Sequence, residues 1–255
     1  MNKIVLITGA TSGFGKATAK LFAQNGCHII VTGRRKDKLI DLADKLIDRY
    51  NVRSLPLCFD VRNAEETANA IASLPENWKK IDVLVNNAGL ASGFSKIQDG
   101  DIADWDKMID TNVKGLLYVS RAIMPLMIAQ KKGHIINIGS TAAKEVYLNG
   151  NVYCASKHAV DAISKAMRIE LLEHGIKVTQ INPGAAETEF SEVRFHGDKE
   201  KAKKVYEGYQ PMTAQDIASI IYYTTTLPDN LCINDLIVTS LAQANSFYID
   251  KKREK

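Results

Sequence analysis

Short β-rich apolar runs alternate with segments of helical period along most of this 255-residue chain, and that alternation limits the folds open to it more than any other feature. The runs are Ile4 to Ile7, His28 to Thr32, Ser54 to Phe59, Ile81 to Val85, Gly133 to Ile138, Lys177 to Ile181 and Leu236 to Val238. Alternating strands and helices imply a parallel sheet covered on both faces. The expected fold class is α/β, a single doubly wound parallel sheet with helices on both faces. Ligands on such sheets bind beyond the carboxyl ends of the strands. The polar motifs fall there: Asp60-Val61 after the third run, Asn86-Asn87-Ala88-Gly89 after the fourth, Ser140 after the fifth and Asn182-Pro183-Gly184 after the sixth.

With 45% hydrophobic residues the chain can bury one sizeable core, and no repeat, low-complexity segment or linker divides it. One domain spanning 1–255 is expected. The net charge of +4 is modest, and the lysines are dispersed or gathered at Lys199 to Lys204 and Lys251 to Lys255, which reads as solvated faces rather than a nucleic-acid surface. Cys27, Cys58, Cys154 and Cys232 are widely spaced with no Cys-x-x-Cys pair, which disfavours both a zinc site and a disulfide framework. No metal is expected, and a reducing cytoplasm fits. The first apolar run is broken at once by Thr8-Gly9, and no later stretch approaches a membrane span. A soluble protein with no membrane partner is expected.

The first run ends in Thr8-Gly9-Ala10-Thr11-Ser12-Gly13-Phe14-Gly15, after which Lys16 to Gln24 has helical period, so the segment reads as strand, glycine turn, helix. The spacing differs from G-x-G-x-x-G. Glycine nonetheless permits a tight turn and close approach of backbone to a pyrophosphate at a helix N-terminus, with Thr11 and Ser12 adding hydroxyls. The plain alternative is an ordinary glycine-rich turn. The second run ends at Gly33-Arg34-Arg35, about 20 residues on, where NAD sites usually place an acid for the ribose 2′-hydroxyl. A carboxylate would repel a 2′-phosphate, whereas a guanidinium can bind it through two charge-assisted hydrogen bonds, so Arg34 and Arg35 point to NADP(H). Their plain alternative is a basic start to the helix Lys36 to Arg49.

Tyr153 and Lys157 stand four apart and so one turn above each other on a helix. A phenol with a pKa of about 10 needs roughly 4 kcal/mol of preferential phenolate stabilisation to work near pH 7, which a fixed cation can help supply. Tyr248 and Lys252 repeat the spacing in a charged C-terminal tail, about 244–255, that is expected to be solvated surface. The first pair has company that the second lacks, notably Ser140 closing the run His134-Ile-Ile-Asn-Ile-Gly-Ser. Taken singly, Ser140 is a strand-end hydroxyl and Asn112 a helix residue bonding its own backbone. Cys154 reads as a small buried helix residue, and His158 lies about 100° round the helix from Lys157, so neither takes a catalytic role.

With these residues assembled, the chain resembles the short-chain dehydrogenase/reductase family from Lys3 to about Ser240. The shared motifs are Thr8-Gly-x-x-x-Gly13-x-Gly15, Asn86-Asn-Ala-Gly89, Asn112, Ser140, Tyr153-x-x-x-Lys157 and Pro183-Gly184. The resemblance implies a Rossmann-type sheet, with Tyr153 as general acid/base and Ser140 orienting the substrate oxygen. It also implies that Lys157 binds the nicotinamide ribose and lowers the tyrosine pKa, and that Asn112 supports a water relay. On the cofactor it implies Gly9, Thr11, Ser12, Gly13, Phe14 and Gly15 at the phosphates, Asp60 and Val61 at the adenine, and Asn87, Ala88, Gly89, Pro183, Gly184 and Thr188 along the cleft. Within the family the chain is most similar to NADP-dependent 3-hydroxy acid dehydrogenases of the serine dehydrogenase and malonic semialdehyde reductase type. The segment Glu187-Thr-Glu-Phe-Ser-Glu-Val-Arg-Phe-His-Gly-Asp198 carries that likeness. Ala185-Ala186 and Lys144 to Asn149 depart from it at the pocket wall.

Three functions follow as expectations: an NADP-dependent oxidoreductase of a small 3-hydroxy acid such as L-serine or 3-hydroxypropionate; a reductase of a bulkier carbonyl or 3-oxoacyl thioester; and an NADP-binding sensor without turnover. A hydroxy acid needs a cationic partner. Arg194 is the candidate, in a substrate loop of about 183–212 whose irregular first part, Pro183 to Gly197, reads as a lid. Lys144 and His196 are the runners-up, and pairing of Arg194 with Glu187, Glu189 or Glu192 to order the loop, or with a neighbouring subunit, is the alternative role. Ala155, Ala159, Ala162 and Ala166 share the face opposite Tyr153. They suggest a homodimer or homotetramer, unless they pack within the same subunit.

Overall fold

The computed structural model describes residues 2–251. In chain order its first half comprises β1 (Ile4–Ile7), α1 (Gly13–Gln24), β2 (His28–Gly33), α2 (Lys36–Tyr50), β3 (Ser54–Cys58), α3 (Ala64–Ala72), β4 (Val83–Asn86), α4 (Ile102–Ile109) and α5 (Leu116–Gln130). Then come β5 (Gly133–Ile138), α6 (Asn151–Glu170), β6 (Ile176–Pro183), β7 (Ala186–Glu187), α7 (Phe190–Arg194), α8 (Lys199–Lys204), β8 (Met212–Thr213), α9 (Ala214–Thr224) and β9 (Asp235–Val238). Seven strands form one parallel sheet in the order β3-β2-β1-β4-β5-β6-β9, the doubly wound Rossmann-type arrangement expected. Pro56, which cannot donate to a ladder, sits in the edge strand β3.

Alternation along each strand splits the core in two. In β1, Val5 and Ile7 pack on one face with Phe22 of α1, Leu42 of α2 and Ile217 of α9, while Ile4 and Leu6 pack on the other with Val119 and Ile123 of α5 and Val160 of α6. Both faces of the central strands are therefore apolar, which is why those runs read as continuous rather than alternating. The chain leaves β1 towards β2 and β3, then returns to β4 on β1's other side, and the divergence opens a crevice above their carboxyl ends.

Two expectations about irregular segments are corrected. Pro183 to Gly197 is not structureless: β7 pairs with β8, and α7 is held where Phe190 packs edge-on to Tyr153 and the Ser191 and Tyr206 hydroxyls meet at 2.7 Å. The tail from 244 is not simply solvated. Gln243 bridges to Ile249, the Ser246 amide donates to Glu145 at 2.8 Å, and Gln243 Oε1 accepts from the Ala185 amide at 2.7 Å. Lys252 of the second Tyr–Lys pair lies outside the described residues; Tyr248 is exposed. On α6, Ala155, Ala162 and Ala166 are exposed and Ala159 half-buried, so that face is not spent on packing within the subunit.

Candidate active site

The strand ends are laced together before any ligand is considered. Thr8 Oγ1 accepts from the amides of Asn87 (3.0 Å) and Ala88 (2.9 Å), and Asn87 Nδ2 donates to the Thr8 carbonyl at 2.8 Å, which joins the exits of β1 and β4. Gly9 and Gly13 take positive φ (66° and 48°), which turns the chain sharply into α1. A side chain at Gly15 would collide with the Gly9 carbonyl, so Gly15 seats the helix against the strand and does not line the cleft. Ser12, the residue before α1, makes no side-chain cap, and no acid occupies the first turn. The helix therefore presents uncapped amides and a positive dipole end, an arrangement suited to phosphate.

A cleft of ≈630 Å³ runs across these strand ends. It is lined by Gly9, Thr11, Ser12, Gly13, Phe14, Arg34, Arg35, Asp60, Val61, Asn87, Ala88, Gly89, Ser140, Tyr153, Lys157, Pro183, Gly184, Thr188 and Arg194, so the expected site residues converge there except Gly15 and Asn112. At one end, Arg35 donates twice to Thr11 Oγ1 (2.9 and 2.6 Å) and pairs with Glu189 at 3.2 Å. Arg34 is more open, its nearest acid being Asp60 at 3.8 Å. Asp60 is gripped by Arg62 at 2.6 Å; burial pushes its carboxyl up, but the bonds from Arg62 and the charges of Arg62 and Arg34 prevail and hold it below the usual range.

At the other end α6 presents Tyr153 and Lys157 on its buried face, the ammonium 5.9 Å from the phenol ring centre. Lys157 donates to the Ile138 carbonyl at 2.9 Å. Ser140 follows β5 in extended backbone, its amide donating to Asn182 Oδ1 and its hydroxyl accepting from the Ala142 amide at 3.1 Å. Asn112 lies behind the cleft in a π-helical turn, Asp110–Gly115. It does not bond its own helix. Its side chain accepts from the Leu90 amide (2.8 Å) and donates to the Leu90 carbonyl (2.8 Å) and Ser156 (3.0 Å), spanning to α6 and the loop after β4. Such turns recur at functional sites.

Burial governs both titrating groups. It pushes the Tyr153 phenol well above its ordinary value, with Tyr147 adding to the rise, while Arg194 and hydrogen bonding to Ser140 counter it; Lys157 is not among the opposing influences. Burial lowers the Lys157 ammonium to about 8.

Arg194, at the end of α7, forms no ion pair among the described residues, which removes the alternative that it pairs with Glu187, Glu189 or Glu192. Its guanidinium donates to Tyr147 Oη at 2.7 Å and lies 5.0 Å from the Tyr153 ring centre, with Phe94 and Phe190 on its other sides. Its Nε is buried without a partner. Lys144 is instead consumed by Asp161 and Asp235 (2.5 and 2.6 Å), and His196 by Asp104 (3.1 Å). Sequence reasoning missed Tyr147, Phe94 and Phe190, and also Gln243, Ser246 and Ile249, which all line the cleft. The one local signal for Tyr147 was Gly150, where any side chain would strike its ring.

A family model described as short chain dehydrogenase matches residues 3–199. An NADP-dependent 3-hydroxy acid dehydrogenase of Salmonella typhi is 46% identical over 242 residues, covering 94% of this chain and 96% of that protein. Sulfoacetaldehyde reductase 2 of Chromohalobacter salexigens is 44% identical over 253 residues, covering 98% and 100%. Among solved structures, the closed form of serine dehydrogenase complexed with NADP+ has a TM-score of 0.92 and 43% identity, covering 95% of this chain and 97% of that one.

Proposed function

Because this chain belongs to the short-chain dehydrogenase/reductase family, we propose that it is an NADP-dependent oxidoreductase interconverting a small 3-hydroxy acid and its carbonyl form. The observation that carries the substrate class is Arg194. Of the charged side chains lining the cleft, Asp60, Glu189, Arg34 and Arg35 gather at one end; Lys157 and Arg194 alone stand near Tyr153, with no acid beside them. A half-buried cation with a buried, unpaired Nε and three aromatic neighbours beyond Tyr153 suits one small planar carboxylate.

The cofactor end fits a phosphorylated dinucleotide: positive-φ glycines and an uncapped helix start suit the pyrophosphate, and Arg34 suits a 2′-phosphate, with Arg35 fixing the turn through Thr11. When bound, NADP(H) supplies the hydride acceptor or donor. In reduction the Tyr153 hydroxyl gives its proton to the carbonyl oxygen as that oxygen gains charge; in oxidation the phenolate takes the alcohol proton. Ser140 donates to the same oxygen, and its extended backbone, fixed through Asn182, keeps the hydroxyl in place. Lys157 holds the ribose, and Asn112, tying Leu90 to α6, supports the proton path behind Tyr153.

Residues 1–255 act as one domain, with 183–212 closing over the substrate and Gln243 buttressing that closure through Ala185. The exposed alanine face of α6 supports a homodimer or homotetramer, and four free cysteines support a reducing cytoplasm. A second reading is favoured by the similarity to a sulfoacetaldehyde reductase, since Arg194 would serve a sulfonate as well as a carboxylate. A panel with NADPH and malonic semialdehyde, sulfoacetaldehyde, propanal and an acetoacetyl thioester tests the assignment. The expected order places the two anionic aldehydes first. Preference for the thioester or propanal would overturn it, and no turnover with any would leave the sensor reading standing.

A further inference from the structure

Resting on the assignment of Arg194 to the substrate anion, we propose that Asp104, with Ser92 and His196, forms a latch that positions Arg194 from behind. Asp104 lies on α4, far in sequence from α7, and its carboxyl is nearly buried. One carboxylate oxygen accepts from the Ser92 hydroxyl at 2.6 Å and the other from His196 Nε2 at 3.1 Å. A second tie runs alongside: the Gly93 amide donates to the carbonyl of Arg194 itself at 3.0 Å. Between the two, the rings of Phe94 and Phe195 meet edge-on at 6.1 Å. The loop after β4 and the end of α7 are thus joined on both sides of Arg194.

The backbone is bent to permit this. Gly93 has φ +75°, and a Cβ there would lie 2.7 Å from the Asp104 carboxylate, so the glycine allows the carboxyl in while aiming its amide at Arg194. His196 takes φ +53°, a left-handed conformation uncommon outside glycine, which persists where surrounding contacts over-determine it. The imidazole bond to Asp104 is one such contact. Asp104, Tyr153 and Arg194 also border a void of ≈10 Å³, too small for a substrate. Asp104 therefore acts on the position of the guanidinium and not on the ligand. Because it bonds His196 and Ser92 and forms no ion pair with Arg194, the arginine keeps its charge for the substrate.

The tests are His196→Asn and Asp104→Asn, each alone and combined with Arg194→Met, assayed with NADPH against malonic semialdehyde and propanal. His196 has a 59% exposed side chain and asparagine tolerates its backbone, so that variant folds even if the buried Asp104→Asn does not. The expected result is a rise of about three- to tenfold in KM for the acid, with propanal changed less than about twofold and kcat little altered. In the Arg194→Met background the rise should vanish, because the latch acts through that residue. Hydrogen exchange at the Gly93 amide provides a reading independent of substrate, and it should quicken in both variants. Unchanged exchange with unchanged KM, equal effects on acid and propanal, or an undiminished effect without Arg194 would each overturn the latch. Faster exchange combined with an Arg194→Met variant that loses both substrates equally would instead overturn the anion assignment.

Discussion

Replacing Arg194 with methionine removes the charge but keeps an apolar stem against Phe94 and Phe190, so the loss separates into two parts. One part is common to every substrate: Tyr147 Oη loses its 2.7 Å donor, and Tyr153 loses a cation that opposes the upward push of burial. The other falls only on substrates with an anion. A charge-assisted hydrogen bond in a largely desolvated site contributes about 2 to 3 kcal/mol, which is about 30- to 160-fold in kcat/KM. The informative quantity is therefore the ratio of kcat/KM for malonic semialdehyde to that for propanal, followed by NADPH absorbance at saturating cofactor. The ratio should fall by that factor while propanal reduction drops far less. A ratio that moves by less than about threefold, under 0.7 kcal/mol, would mean that Arg194 only orders α7 and the aromatic rings around it.

Arg34→Asp should lower kcat/KM with NADPH at least about tenfold more than with NADH, since it deletes a phosphate partner and installs a like charge; equal losses would refute the 2′-phosphate role. Lys144→Met should cost up to about 1 kcal/mol in urea unfolding, since Asp161 keeps Lys165 and Asp235 keeps Asn182, yet leave the acid-to-propanal ratio alone; a selective loss of the acid would restore Lys144 as a substrate residue. Stability of the protein without cofactor should rise between about pH 8 and pH 10. There the unfolded chain still binds the Lys157 proton that the folded one, with its value lowered to about 8, releases, and the raised Tyr153 phenol erodes stability only above about pH 10. Lys157→Met should flatten that rise and increase stability at pH 7; an unaltered profile would show that burial of Lys157 is not costly. Light scattering at micromolar concentration should give a dimer or tetramer that Ala155→Glu/Ala162→Glu dissociates, and a monomeric parent protein would defeat the assembly.

What could be read from the sequence was what depends on neighbours in the chain. The seven strands declare themselves because each is an apolar run, and Gly9, Gly13, Ser140 and Tyr153 lie at or just past strand and helix boundaries where a ligand must bind. α7 escaped because five residues are too few for a 3.6-residue period to show. From the sequence Asn112 reads as a residue bonding its own helix, or by resemblance alone as part of a relay; its partners Leu90 and Ser156 lie 22 and 44 residues away. Gln243 carries no signal in the sequence, although its amide oxygen occupies the space left by the missing side chain of Gly184. Lys144 looked available to a carboxylate until Asp235, 91 residues on, claimed it. Each miss is a polar side chain whose partner is distant in sequence, and neither composition nor period encodes such partners.

The assignment of Tyr153 as the proton donor is tested most directly by Tyr153→Phe, comparing kcat for malonic semialdehyde with the NADPH dissociation constant in one preparation. The ring, and with it the contacts to Phe190 and Arg194, is retained while the hydroxyl is lost. A fall in kcat of at least about a thousandfold, with NADPH binding changed by less than about threefold, is the predicted result. Retention of more than about a tenth of the wild-type kcat, a loss of under about 1.4 kcal/mol in transition-state stabilisation, would contradict it.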